Sequence, residues 1–171
     1  MLTKIMKRVT DYLQCDHRIL NERRLMSFIS NNPYYLKDKP QTLQQGDFHP
    51  GNLIMTSGKK LGIVDFNHTD YDDQWEGFVR VPASIKIGNA PLAIGQINGY
   101  FDGSVPELFF PLLALYQAIE AHFCIVEAIA FGQAEVSRSL VRSRSVYENY
   151  NGFHTCIPIW YRGKQIYCNE A

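Results

Sequence analysis

The sequence predicts an α+β fold that is mainly helical and carries one small β-hairpin. Three features predict it. Two short apolar runs, Leu53-Ile54-Met55 and Leu61-Gly62-Ile63-Val64, flank the turn cluster Ser57-Gly58-Lys59-Lys60, the pattern of a hairpin. Ahead of them, Ile5, Val9, Tyr12 and Leu13, then Leu25, Phe28 and Ile29, recur at three- and four-residue spacing, the signature of helices with one apolar face. Behind them, residues 114–130 are apolar nearly all round, which suits a buried central helix.

Taken in order, residues 2–31 read as two helices, ended by Asn32-Pro33. Lys37-Asp38-Lys39-Pro40 forms a loop because proline and charged turn formers interrupt the periodicity. Leu43-Gln44-Gln45 is a short strand, followed by the hairpin. Pro91 opens a helix to about Tyr100, closed by Asp102-Gly103. Ser104, with Glu107 three residues on and Pro106 in the first turn, predicts a capping box at the head of the next helix. Residues 134–150 make a more polar helix, with Arg138, Arg142 and Arg144 facing solvent. Residues 1–171 are expected to form one domain, a length that supports a real core.

Composition excludes several classes. Seventeen basic residues balance seventeen acidic ones, so a nucleic-acid binder working through the phosphate backbone is not expected. The longest apolar stretch, residues 108–131, is interrupted by Pro111, Gln117, Glu120, His122 and Glu127, so no membrane association is expected. Lys4, Lys7, Arg8 and Asp11 break up any signal-peptide core. A soluble, cytoplasmic chain is the expectation. Cys15, Cys124, Cys156 and Cys168 lack Cys-x-x-Cys spacing and are expected to be structural thiols; a Cys156–Cys168 pair is the alternative.

The chemistry concentrates in Gln45-Gly46-Asp47-Phe48-His49-Pro50-Gly51-Asn52 and in Ile63-Val64-Asp65-Phe66-Asn67. The predicted hairpin puts Asn52 at the start of one strand and Asp65 at the end of its partner, with Asp47 on the preceding loop. Two carboxylates and an amide oxygen then converge at one end of a small sheet. Such a set can hold Mg²⁺ and leave one carboxylate to accept a proton. Taken singly, Asp47 and Asn52 are ordinary turn residues; their joint spacing with Asp65 carries the functional reading.

These residues resemble the G-D-x-H-x-x-N and hydrophobic-D-F motifs of aminoglycoside phosphotransferases and related small-molecule kinases. The resemblance runs on through Asp70-Tyr71-Asp72-Asp73-Gln74-Trp75-Glu76-Gly77-Phe78 and, more loosely, residues 93–100 and the helices beyond. It implies the C-terminal lobe of a protein-kinase-like fold. It further implies a kinase that transfers the ATP γ-phosphoryl to a small-molecule hydroxyl acceptor, with Asp47 as catalytic base and Asn52 and Asp65 as Mg²⁺ ligands. His49 is expected to brace its loop and Asp73 to cap the following helix near Trp75, while Trp75 and Phe78 serve as core.

The sequence departs from that family where Gln45 stands for the usual His, Asn67 for Gly, and Asp72-Asp73-Gln74 for Gly-Asp-Pro. Only 46 residues precede Asp47, too few for a five-stranded nucleotide-binding lobe. No G-x-G-x-x-G loop occurs, and Lys59 belongs to no P-loop. The expectation is therefore a chain without the N-terminal ATP-binding lobe, a truncated form with little activity alone, whose uncovered apolar face favours self-association. The alternatives are a non-catalytic kinase-like lobe acting as a binding or oligomerisation module, and a phosphohydrolase using the same cluster. Two further features stay open. Asp70, Asp72, Asp73 and Glu76 are either a solvated acidic turn or an attractant for a cationic acceptor, and Phe153, Trp160 and Tyr161 either docking anchors or an aromatic wall.

Overall fold

A computed structural model describes residues 2–58, 60–80 and 90–161; Lys59 of the predicted turn and Cys168 of the alternative pair lie outside them. The fold is mainly helical α+β with two small sheets. The chain divides into two compact units, Met1–Lys37 with Pro106–Ala171, and Asp38–Val105.

The first unit is built around α4, Phe109–Ile129. Nearly every residue from Phe109 to Ala121 is buried, together with His122, Ile125 and Ala128, as an apolar helix without a polar stripe requires. By length and composition this helix could cross a membrane, but most of it is enclosed by its own unit. Against it pack α1, Leu2–Gln14, α2, Glu22–Asn31, and α5, Gln133–Asn149. Ile5, Val9 and Tyr12 on α1 and Leu25 and Phe28 on α2 supply the buried faces that their spacing predicts. Each such side chain contributes about 1.5–3 kcal/mol when fully buried.

Polar contacts then fix the helices in register. The Ser143 hydroxyl of α5 donates to the Ala121 carbonyl of α4 at 2.6 Å. The Tyr12 hydroxyl accepts the Ile19 N–H at 3.0 Å, tying down the α1–α2 connection; burial pushes its own pKa up. Phe153 stacks on Tyr150 and packs against Phe28, and Tyr161 packs on Phe110. These aromatics dock the chain beyond α5, in keeping with the anchor expectation. Arg138 and Arg142 pair with Glu135, and Arg144 with Glu148, on the outer face of α5.

Two expectations fail here. The capping box at Ser104 does not form, because α4 starts at Phe109 after Leu108, with no side-chain cap. Pro106 instead opens a turn, its carbonyl accepting the Phe109 N–H at 3.0 Å. Cys15 and Cys124 are free, but Cys156 is disulfide-bonded, which corrects the thiol reading for that residue.

The second unit holds β1, Gln41–Gln44, paired antiparallel with β4, Asp70–Asp73, and β2, Leu53–Met55, paired antiparallel with β3, Leu61–Ile63. The β2–β3 hairpin closes where Thr56 N–H donates to the Lys60 carbonyl at 2.9 Å. α3, Ala90–Tyr100, begins where Pro91 predicts it. Phe78 packs with Tyr100 and Phe101, and Trp75 meets Phe101 edge-on, the half-buried core of this unit.

β4 is the element that was not expected. Gln41 pairs with Asp73 and Gln44 with Asp70, so the acidic run is a strand and not a solvated turn. Asp70 is exposed, whereas Asp72 and Asp73 are only 3% and 1% exposed. Local hydrogen bonds make this burial tolerable. Asp72 Oδ1 accepts the Asp73 N–H at 2.9 Å, and Asp73 Oδ1 accepts the Trp75 N–H at 2.7 Å.

Candidate active site

The candidate residues Asp47, His49, Asn52, Asp65 and Asp73 all lie within the second unit. Gly46 takes φ 81°, and a Cβ placed on it would sit 1.9 Å from the His68 carbonyl oxygen. Only glycine meets both demands, and the Asp47 loop can therefore lie directly against the chain after β3. A short 3₁₀ turn, Pro50–Asn52, then delivers Asn52 to the head of β2.

Asn52 is only 8% exposed and faces Asp47. Its amide Nδ2 donates to the Asp47 carbonyl at 2.9 Å and stands 3.3 Å from the Asp47 carboxylate Oδ2. With its N–H donors turned to Asp47, its Oδ1 is the atom left for a cation. His49 Nδ1 accepts the Gly51 N–H at 3.0 Å, which places the proton of the neutral ring on Nε2. That nitrogen is 3.4 Å from Asp47 Oδ2. Arg80 Nε lies 3.8 Å from the other oxygen, Oδ1. The carboxylate is thus held from three sides while remaining partly open to solvent.

Asp65 follows the end of β3. Leu53 pairs with Ile63, and the Val64 N–H donates to the Asn52 carbonyl at 3.0 Å, so the ladder sets the segments carrying Asn52 and Asp65 side by side. Asp65 adopts φ 59°, a left-handed conformation uncommon for a residue with a side chain. Such strain gathers at functional positions. Its Oδ1 accepts the Asn67 N–H at 3.4 Å.

Asp47 meets the side chains of Asn52, His49 and Arg80; Asp65 is joined to this group through backbone pairing and through Gln45. Asp73 caps the turn at Trp75 and also receives the Gln44 side-chain amide on its carbonyl. It braces the β1–β4 sheet.

Two residues that the motif made look incidental matter to this geometry. Gly46 permits the close approach just described. Gln45 Oε1 accepts the Asp47 N–H at 2.9 Å, while its Nε2 donates to the Val64 carbonyl at 3.3 Å and to that of Asp65. In the sequence Gly46 is part of the G-D-x-H-x-x-N motif and Gln45 stands where the resembled family usually has His, but neither fact shows which groups they meet.

The donors suit a hard divalent cation. One carboxylate and one amide oxygen match Mg²⁺, which takes few protein ligands and completes its octahedron with water and substrate phosphates. Among the described residues no group of three or more His, Cys, Asp or Glu is placed to hold a metal ion.

Comparison with curated proteins found no match. Among solved structures, the fold is similar to a thermostable mutant of aminoglycoside phosphotransferase APH(4)-Ia in its apo form. That match has a TM-score of 0.53 at 15% identity, covering 87% of this chain and 46% of the other. The chain thus spans about half the length of the structure it matches. The phosphotransferase enzyme family matches residues 9–109, which include Asp47, Asn52 and Asp65. By that match, over more than half its length, the chain belongs to the phosphotransferase enzyme family.

Proposed function

We propose that the site transfers the γ-phosphoryl of ATP to a hydroxyl of a small molecule. Asp47 accepts the hydroxyl proton as the new O–P bond forms and the bond to the ADP oxygen breaks. His49 and Asn52 hold the Asp47 carboxylate in place, so the base is positioned before the acceptor arrives. Mg²⁺, when held by Asn52 Oδ1 and Asp65, would neutralise the negative charge of the phosphates. The single observation that carries this reading is the Asn52 amide turned onto Asp47, which unites base and ligand at one end of the β2–β3 hairpin.

On this reading the chain corresponds to the C-terminal lobe of the kinase-like fold, and the cover over the nucleotide comes from polypeptide beyond it. The matched structure, more than twice as long as the region it shares with this chain, supports that view. Exposed apolar side chains on and after the hairpin, among them Ile54, Met55, Leu61, Ile63 and Phe66, support a covering partner as well. Without one, the chain self-associates through this surface, and light scattering that finds only monomer at high concentration would count against it. The same exposed surface favours a second reading, a kinase-like lobe kept as a binding or oligomerisation module.

Phosphate transfer from Mg-ATP to a panel of amino sugars, amino alcohols and hydroxy amino acids separates the readings. The 171-residue chain is expected to turn over little. The same chain extended by upstream in-frame sequence encoding a glycine-rich hairpin and a strand lysine is expected to turn over readily. Robust turnover by the short chain would overturn the incomplete-site reading. Failure of the extended protein on every acceptor would favour the binding module.

A further inference from the structure

Resting on the metal reading above, we infer that Gln45 is the positioning residue that locks the base loop to the cation-ligand loop. Gln45 stands where the resembled family usually has His. Its one side-chain amide works in both directions. The Oε1 acceptor takes the Asp47 backbone N–H at 2.9 Å, and the Nε2 donor reaches the Val64 carbonyl at 3.3 Å and the Asp65 carbonyl.

Three backbone groups that no ladder bond accounts for are thereby joined by one planar group. The Asp47 amide fixes where the base carboxylate starts. The Val64 and Asp65 carbonyls fix the approach to the left-handed residue at φ 59°, a conformation that needs support from its surroundings. The β2–β3 ladder has ended at Ile63, so Gln45 supplies the restraint where strand pairing stops. A single imidazole, with one donor and one acceptor in its neutral form, can accept the Asp47 N–H and donate to one of the two carbonyls. Gln meets both carbonyls at once.

Outer contacts that orient metal ligands typically change affinity about 10–100-fold when lost. The test is Mn²⁺ titration of the purified chain by electron paramagnetic resonance, in wild type, Gln45→Leu, Gln45→His and Asp65→Asn. Amide hydrogen exchange at Asp47 and thermal unfolding are followed in parallel. Gln45→Leu, close in size but unable to hydrogen-bond, should weaken Mn²⁺ about tenfold or more and release protection of the Asp47 amide. Gln45→His should recover most of both. The melting temperature should stay near that of wild type, which a merely structural role would not predict.

Wild-type Mn²⁺ affinity in Gln45→Leu, with binding lost in Asp65→Asn, would overturn the role of Gln45 and leave the metal site standing. Unchanged binding in Asp65→Asn would overturn the metal site itself, and this inference with it. A Gln45→Leu protein that unfolds would leave Gln45→His to decide: tight Mn²⁺ binding with a protected Asp47 amide supports the inference, and loss of both overturns it.

Discussion

The α4 helix and the β2–β3 hairpin use apolar residues in opposite ways. α4 buries most of its side chains, whereas Ile54, Met55, Leu61 and Ile63 of the hairpin are each more than 40% exposed. The first derives its stability from packing. The second is a short ladder whose strands are three residues long, too little to stand alone in water without added support. On the proposed function, the contrast teaches that stability and chemistry are kept in different parts of this chain. The site rests on hydrogen bonds and backbone geometry more than on a core.

The predictions test that division, beginning with the largest effect. In the extended protein, Asp47→Asn should lower turnover about 10²–10⁴-fold, the usual contribution of a positioned base, with the melting temperature nearly unchanged. A loss of stability equal to the loss of rate would return Asp47 to the status of a turn residue.

Next come paired truncations. Leu115→Ala in α4 should cost about 2–5 kcal/mol in urea unfolding, because Leu115 is fully buried. Ile54→Ala on the hairpin should cost about 0.5 kcal/mol or less. Equal costs would mean that the hairpin is covered in solution and would erase the contrast.

Gly46→Ala is the exception within the site unit. A left-handed φ costs an alanine about 1–2 kcal/mol, and the clash with the His68 carbonyl adds about 1–3 kcal/mol. Unfolding by chemical denaturant checks the sum. A neutral result would show that the Asp47 loop does not lie against the chain after β3.

The smallest effect concerns pH and the helical unit. Burial in α4 holds the His122 pKa below its usual 6.5, partly opposed by the hydrogen bond to the Ala118 carbonyl. A depressed folded value means the unfolded chain binds the proton more readily. His122 therefore contributes stability above pH 6.5 that is lost as pH falls through the folded pKa. His122→Gln should flatten the decline in melting temperature on the acid side of pH 6.5. An unchanged slope would place the acid sensitivity elsewhere.

Much of the fold was legible in the sequence because helices advertise a period. Ile5, Val9 and Tyr12, and the apolar α4, declared their buried faces directly. The hairpin was legible from its turn residues. β4 was not, since Asp-Tyr-Asp-Asp has the composition of a loop and is held as a strand only by pairing with β1, some thirty residues earlier. The Ser104 capping box satisfied a local rule but lost to the turn at Pro106. At the site, residue types and spacing pointed to Asp47, Asn52 and Asp65. The bridging of Gln45 and the crowding at Gly46 could not be foreseen, because both depend on where residues 64–68 return in space.

The central claim is that the hairpin gathers one cation site beside the Asp47 carboxylate. Paramagnetic broadening by Mn²⁺ in the amide NMR spectrum of the purified chain tests it most directly. The account predicts that signals of Asp47, Asn52 and Asp65 vanish first and together, well before those of Asp70 or of Glu120 in α4. Broadening that begins at either of those acids, or that spares Asp65 while reaching Asn52, would contradict it.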